Sequence, residues 1–468
     1  MYTEEYQALN DKYMEDSVQA QTSFDVDAFL DNRRFGAIHL RILLILSLVM
    51  LADGYDIFIA GMILPELARS WQIEPQALTG IFVCQQAGLL TGVLITGPLA
   101  DAFGRKRILL ICVACFGFTT FLVSLAASPV ELMALRFISA IFFSGVLPSC
   151  VAMISEIAPG RLRASLIGIV FCGYSGGQFV CAAVLAYVIG PFGWQGAFYV
   201  GALLPLVLLP LVLFGLPESP RYLTRRNPAD PRIPVMLKSF DPQLSLSGDE
   251  VFTVADIQEK RKVPLSKLFG GSFLVITVLI WSAYFFAFTA NQMMSSWDTT
   301  ILRNLADIPY DHIALMISTQ TALGIVGMAS AGFLMDRFGA TRMLSLFFAL
   351  GATMIVGLAF SDLGSTTGLI FYALTGYAMN SALSGLNALA ATSYPSTVRV
   401  TAVAWGSGFG RMGGMLGPVV GGLLLAQKPS TTIMYLSTAL PEILCALAIF
   451  ILALVLRARK RAAQSTAG

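Results

Sequence analysis

"GPLADAFGRKRIL", residues 97–109, returns 235 residues later as "GFLMDRFGATRML", residues 332–344. The alignment sets Asp101 on Asp336 and Gly104 on Gly339. A second pair, "APGRLRAS" (158–165) and "YPSTVRVT" (394–401), sets Pro159 on Pro395 and Arg163 on Arg399 at an offset of 236. Two elements recurring at nearly one offset make the chain a tandem duplication. Each motif lies between apolar runs long enough to cross a bilayer, about 20 residues for a helix.

Working outward, such runs fall near 42–65, 78–100, 107–128, 131–153, 164–188 and 195–216. A second set falls near 272–296, 313–334, 342–361, 366–389, 400–425 and 432–456. The reading is an all-α polytopic membrane protein, twelve spans in two pseudo-symmetric six-helix bundles. Residues 1–40 form an N-terminal segment, 41–216 the first bundle, 217–268 a polar central loop, 269–456 the second bundle and 457–468 a tail. Parallel repeats of six spans suit a transporter whose substrate site lies between the halves near the midplane.

Composition agrees. Only 12% of the 468 residues are charged and 56% are hydrophobic, with mean hydropathy +0.73; soluble domains carry roughly 25% charged residues. A net charge of +2 excludes a strongly basic nucleic-acid binder. Seven cysteines sit in apolar runs without metal-type spacing, and the two histidines, His39 and His312, have no Cys or His neighbour. No metal, no cofactor and no nucleophile–base arrangement is expected, so the chain does not read as an enzyme. Of 30 Lys and Arg, 25 gather on one side of the predicted spans, and only Arg69, Arg303 and Lys428 lie in loops on the other. The positive-inside rule puts both termini in the cytoplasm.

Charges inside the spans are expensive and ask for a function. Asp53 lies 12 residues beyond Arg41, about 18 Å of helical rise and near the bilayer centre. Asp56, three residues on, shares its face. Two carboxylates this close in a low dielectric cannot both ionise cheaply, so the pair suits loading and releasing a proton. The plainer alternative is an Asp hydrogen-bonding a helix break at Gly54. Arg411 lies 12 residues beyond Arg399 and reaches the same depth. It is either an anchor for a substrate carboxylate, exchanging partners with the aspartates, or half of a permanent ion pair.

These residues resemble a known family. "GPLADAFGRKR" is similar to the loop 2–3 signature of the major facilitator superfamily, and "RFISAIFFSGVLPSCVAMISEIAPGRLRA" to its helix 4 motif. "PESPRYL" (217–223) looks like the helix 6 exit of sugar porters. "DGYD" in the first span and "GRMGGMLGPVVGGLLL" (410–425) in the eleventh resemble the aromatic acid:proton symporter family. Relatives leave helix 7 through Trp-x-Pro-Thr, where this chain reads Trp297, Asp298, Thr299, Thr300. The expected proton-coupling set is Asp53, Asp56, Arg136 and Glu156: the resemblance implies the part of Arg136, with structural pairing as its alternative, and Glu156 ends helix 4 at the cytoplasmic face.

Gating falls to Asp101, Gly104, Arg105, Asp336, Arg337 and Arg399, at tight turns where charges can pair in one conformation and part in another. Tyr174, Gln178, Tyr284, Phe288, Asn291, Gln292, Gln320, Asn380, Asn387 and Trp405 could line a cavity for a flat acid, or serve as packing glue between helices. The expectation is a proton-coupled symporter importing an aromatic carboxylate across the cytoplasmic (inner) membrane, with protons and the lipid bilayer as its other partners. A carrier of non-aromatic acids such as dicarboxylates, or a non-translocating receptor, is the alternative. Asp298 and Glu442 have no assigned role.

Overall fold

A computed structural model describes residues 23–244, 246, 250–254, 268–270, 273–394 and 396–465. Twelve long helices, numbered in chain order, dominate it. They are α1 (Ala37–Met62), α2 (Thr79–Phe103), α3 (Arg105–Ser124), α4 (Pro129–Ile157), α5 (Arg163–Tyr187) and α6 (Ile189–Gly215). Then come α7 (Leu274–Thr300), α8 (Tyr310–Phe338), α9 (Ala340–Phe360), α10 (Thr366–Ser393), α11 (Ser396–Leu425) and α12 (Thr431–Ser465). Ten of these are long and apolar enough to cross a membrane by length and composition alone. The other two, α10 and α11, are 28 and 30 residues long and carry the intramembrane Asn380, Asn387 and Arg411.

Local chemistry sets the ends. The Ser128 hydroxyl accepts from the Glu131 amide while the Glu131 carboxylate accepts from the Ala127 amide, and Pro129 opens α4, a reciprocal cap. Ser365 caps α10 through the Gly368 amide. Gly104 (φ 100°) and Gly339 (φ 95°) end α2 and α8 in backbone that only glycine adopts without strain. The next helix begins at the following residue in both halves. The repeated motif is therefore a repeated turn.

The duplication is visible in the packing. In the first half α1 lies on α5, α2 on α4 and α3 on α6; in the second α7 lies on α11, α8 on α10 and α9 on α12. Among the long helices the halves meet chiefly where α5 lies on α8, α2 on α11 and α1 on α7, and the short segments Leu64–Ser70 and Pro75–Leu78 also touch α7 and α11. The ends of the bundle differ in charge. Arg105, Lys106, Arg107, Arg161 and Arg163 lie at the α2–α3 and α4–α5 turns, the end called here the basic face.

Burial shows how the halves meet. At the opposite face one apolar cluster runs through both, joining Tyr55, Ile59 and Phe82 to Met294, Trp297 and Ile317. Toward the basic face the core splits, with Ile42, Leu46 and Phe143 in a first-half cluster and Ile276, Phe348 and Leu386 in a second-half one. A Cβ added at Gly97, Gly168, Gly332 or Gly408, on the four helices that flank the seam, would meet nothing within 4 Å. The halves share one core at the opposite face and have separate cores toward the basic face.

Several expected boundaries move. The first span runs from 37 to 62 rather than 42 to 65, and a short helix, Leu64–Ser70, follows it. The seventh span continues beyond 296 to Thr300 and into a π-helical turn, Ile301–Leu305. The last runs on as helix to Ser465, through residues read as a tail. Gly54 does not break α1, which is continuous.

The larger correction concerns the N-terminal segment and the central loop, which fold together on the basic face. β1 (Ser23–Asp25) pairs in parallel with β2 (Val251–Thr253), and Val26 and Leu30 pack with Leu223, Ile233, Leu237 and Phe252. The Asp25 carboxylate caps helix Val26–Asp31 by accepting from the Asp27 and Ala28 amides. Arg221 pairs with Asp27 at 2.5 Å and with Asp31 at 3.4 Å, Arg163 also pairs with Asp31, and Arg33 with Asp241 at 2.5 Å. Among the described residues, the ion pair from this unit to a long helix, Asp31 with Arg163 of α5, falls on the first half. Of the expected N-terminal segment and central loop, residues 1–22, 245, 247–249 and 255–267 lie outside the described residues.

Arg221→Ala should undock this unit by about 1 to 3 kcal/mol, the worth of charge-assisted bonds that are partly solvated. Trypsin should then cut after Arg33 about tenfold faster or more, with the unfolding midpoint of the helical body nearly unchanged. Equal cleavage rates in parent and variant would show that the ion pairs do not hold it.

Candidate functional site

Asp56 and Arg136 meet in the core of the first half, both fully buried, with Oδ2 to Nη1 at 2.5 Å. Arg136 Nη2 also donates to the Asp56 carbonyl oxygen at 2.8 Å and to Gln85 Oε1 at 3.1 Å. The Thr120 hydroxyl donates to Asp56 Oδ1 at 2.8 Å. One ion pair thus draws α1, α2, α3 and α4 together, with the Phe143 and Phe198 rings about the guanidinium at 6.0 and 5.9 Å. Its charges cancel and most of its polar atoms are satisfied, as a buried pair requires.

Asp53, one turn earlier, has a different setting. It is 2% exposed, its Oδ1 has no hydrogen-bond partner, and among the described residues it makes no salt bridge. Asp53, Tyr174 of α5 and Arg411 of α11 lie within electrostatic reach of one another. Arg411 is half-buried and, among the described residues, has no carboxylate at ion-pair distance and no side-chain hydrogen bond. The carboxylate comes from one half and the guanidinium from the other. They face each other without closing.

Close helix contacts put them there. A Cβ at Gly54 would sit 2.1 Å from the Tyr174 carbonyl oxygen, and one at Gly413 would sit 2.0 Å from that of Phe285. Only glycine lets α1 meet α5, and α7 meet α11, at this separation. Beside Arg411, Gly410 lies against Phe288 and Tyr284, and Gly414 lies between Gln86 of α2 and Gln292 of α7. Phe58 stacks edge-on to Tyr174 at 5.5 Å. An arginine flanked by aromatic rings and amides suits a flat anion.

The other expected lining residues divide. Gln178 and Asn291 are half-buried without a side-chain hydrogen bond among the described residues. The Tyr284 hydroxyl donates to Asn387 Oδ1 at 2.8 Å, Gln320 to the Thr375 hydroxyl at 3.2 Å, and Asn380 to the Gly376 carbonyl at 3.0 Å. Trp405 is 53% exposed. Glu156 lies away from Asp53: it pairs with Arg105 at 3.7 Å, and Arg105 with Asp101 at 2.6 Å, at the basic face. Asp336 is exposed without an ion pair among the described residues, and Arg337 lies over the Phe338 ring at 5.5 Å. No described ion pair joins the halves. Arg399 lies on α11, but its side chain falls outside the described residues. Gln85, Gln86 and Thr120 escaped the sequence reading, although two adjacent amides in "FVCQQAGLL" are themselves a signal in an apolar helix.

The sequence profile of the Major Facilitator Superfamily matches residues 46–369 and 299–468. The chain belongs to the major facilitator superfamily. It is 32% identical over 425 residues to a gallate transporter of Pseudomonas putida, spanning 91% of this chain and 94% of that one. It is 31% identical to a 4-hydroxybenzoate transporter of Pseudomonas aeruginosa, spanning 94% and 98%. The inward-open xylose transporter of E. coli matches with a TM-score of 0.68 at 16% identity, over 88% of this chain and 96% of that one. This facilitator is thus a multi-pass membrane transporter related to aromatic acid transporters.

Arg136→Ala should cost about 3 to 5 kcal/mol, because Asp56 is left buried without its counter-charge. The removal of both charges in Asp56→Asn/Arg136→Gln should cost less than the single change. Thermal unfolding in detergent decides; a double variant as unstable as Arg136→Ala would refute the pairing as the main term.

Proposed function

We propose that this facilitator is a proton-coupled symporter importing an aromatic carboxylate by alternating access. In this reading it lies in the cytoplasmic (inner) membrane with both termini in the cytoplasm. One observation carries the proposal: an unpaired guanidinium, Arg411, faces an unpaired buried carboxylate, Asp53, across the seam. The two compete. With Asp53 ionised, Arg411 is its natural counter-charge. With Asp53 protonated, Arg411 is left for the substrate carboxylate and the site is neutral overall. Each ligand then favours the other's binding, which is the coupling a symporter needs.

Tyr174, Phe288 and Phe58 supply the flat walls, and Gln86 and Gln292 can hydrogen-bond ring substituents. The two curated relatives carry gallate and 4-hydroxybenzoate by name, which supports an aromatic acid of that type. Asp56 and Arg136 enter as support: their fixed pair holds the α1 backbone that carries Asp53. Asp101, Arg105 and Glu156, already paired with one another, and Asp336 and Arg337 act at the basic face, exchanging partners as that face closes. Proton return down its gradient draws the anion inward against the membrane potential.

In vesicles with an imposed pH gradient, Asp53→Asn should lose accumulation of labelled 4-hydroxybenzoate or gallate while still exchanging internal for external substrate. Accumulation at the parent's level would move proton carriage elsewhere. Arg411→Ala should weaken equilibrium binding of the acid by about 2 to 5 kcal/mol. Arg411→Lys should fall between, since an ammonium cannot present the planar fork. The corresponding aromatic amide should bind weakly to all three. If both variants bind the acid like the parent, Arg411 is not the anchor.

A further inference from the structure

Asp298 stands at the outer end of α7, directly after Trp297, where the halves share one core. Trp297 is fully buried, meets the Phe82 ring of α2 at 5.9 Å and donates its indole N–H to the Pro418 carbonyl of α11 at 3.0 Å. The Asp298 carboxyl is 5% exposed. Its Oδ2 accepts from the Tyr372 hydroxyl of α10 at 2.8 Å, and its Oδ1 is buried without a partner. The other titratable group facing it is Tyr435 of α12, whose hydroxyl is also buried and unpartnered. Among the described residues no charged group from α1, α10, α11 or α12 reaches it, nor do Glu66 and Arg69 of the helix Leu64–Ser70 or Arg303 of the turn Ile301–Leu305.

Pseudo-symmetry sharpens the contrast. Tyr372 follows Arg136 by 236 residues, the offset that relates Pro159 to Pro395. At this position the first half supplies a guanidinium to its buried carboxylate on α1. The second half supplies a neutral phenol to its buried carboxylate on α7. Asp56 has the Arg136 guanidinium bonded to it. Asp298 has no counter-charge, and a buried carboxylate without one is strongly disfavoured. Three residues on, the π-helical turn Ile301–Leu305 gives α7 a wound defect of the kind found where helices yield.

We propose that Asp298 is a proton-binding site that licenses closure of the opposite face. A proton from water on that side bonds to Asp298 as α7 docks, and returns to the same side when α7 swings out. It is not carried across and is separate from the proton at Asp53. The inference rests on the alternating-access part of the proposed function.

The test is amide hydrogen exchange of residues 297–306 in the full-length protein, corrected for intrinsic rates, between about pH 6 and pH 8. In the parent, protection there should fall about tenfold or more as pH rises, because an ionised Asp298 resists burial. Asp298→Asn keeps the bond from Tyr372 and should make that protection independent of pH. Asp298→Glu should keep the dependence. Protection of α3 and α4 reports that each variant is folded. A parent without pH dependence, or an Asn variant that keeps it, overturns the proposal. Gradient-driven accumulation by the same preparations separates the two readings. Lost accumulation with a pH-sensitive seam fails the symport reading alone; normal accumulation with an insensitive seam fails this one alone.

Discussion

A guanidinium and a carboxylate buried together at Asp56 and Arg136 set the terms for the first half. Neither charge could be placed there alone, since each would lose several kcal/mol of hydration. Together, with Gln85 and Thr120 supplying further hydrogen bonds, they lock four helices at one depth. That lock frees the neighbouring Asp53. With Asp56 already compensated, Asp53 is the carboxylate left without an ion pair among the described residues, buried within electrostatic reach of Arg411 from the other half.

The two halves share a scaffold and divide the chemistry. Glycine contacts bring α1 to α5 and α7 to α11 in the same way, yet the free acid lies on α1 and the free base on α11. A ligand that engages both must touch both halves, so its binding energy bears on their relative position. A duplicated bundle with acid and base in one half could bind without that leverage. The asymmetry at Arg136 and Tyr372 follows the same logic: equal places in the fold carry unequal charge.

Much of this was legible in the sequence. The offset of 235 to 236 residues, the apolar runs and the two glycine turns gave the architecture, because those signals are local and periodic. Asp53 and Arg411 stood out because charge inside a span is rare. The pairing of Asp56 with Arg136 was not legible: 80 residues separate the partners, and nothing in one span names its neighbour. Gly54 read as a possible break because close approach and flexibility leave the same residue behind. The folded unit at the basic face escaped because its strands are three residues long and its helices have six, seven and nine. Glu156, read at the cytoplasmic end of helix 4, pairs with Arg105 at the basic face.

The parallel pairing of β1 with β2 has a consequence for how the chain is made. Ser23 is held by Val251, and Asp31 by Arg163 and Arg221. Residues 23–31 therefore wait for partners synthesised more than a hundred residues later, and meet the last of them only after all of α1 to α6. Contacts of such long sequence separation form late, after nearby helices have found each other. Closing the unit marks a finished first half before α7 begins. The N-terminal strand serves as a seal on completed work, and a chain stalled before residue 251 would carry an unpaired β1 as the mark of its incompleteness.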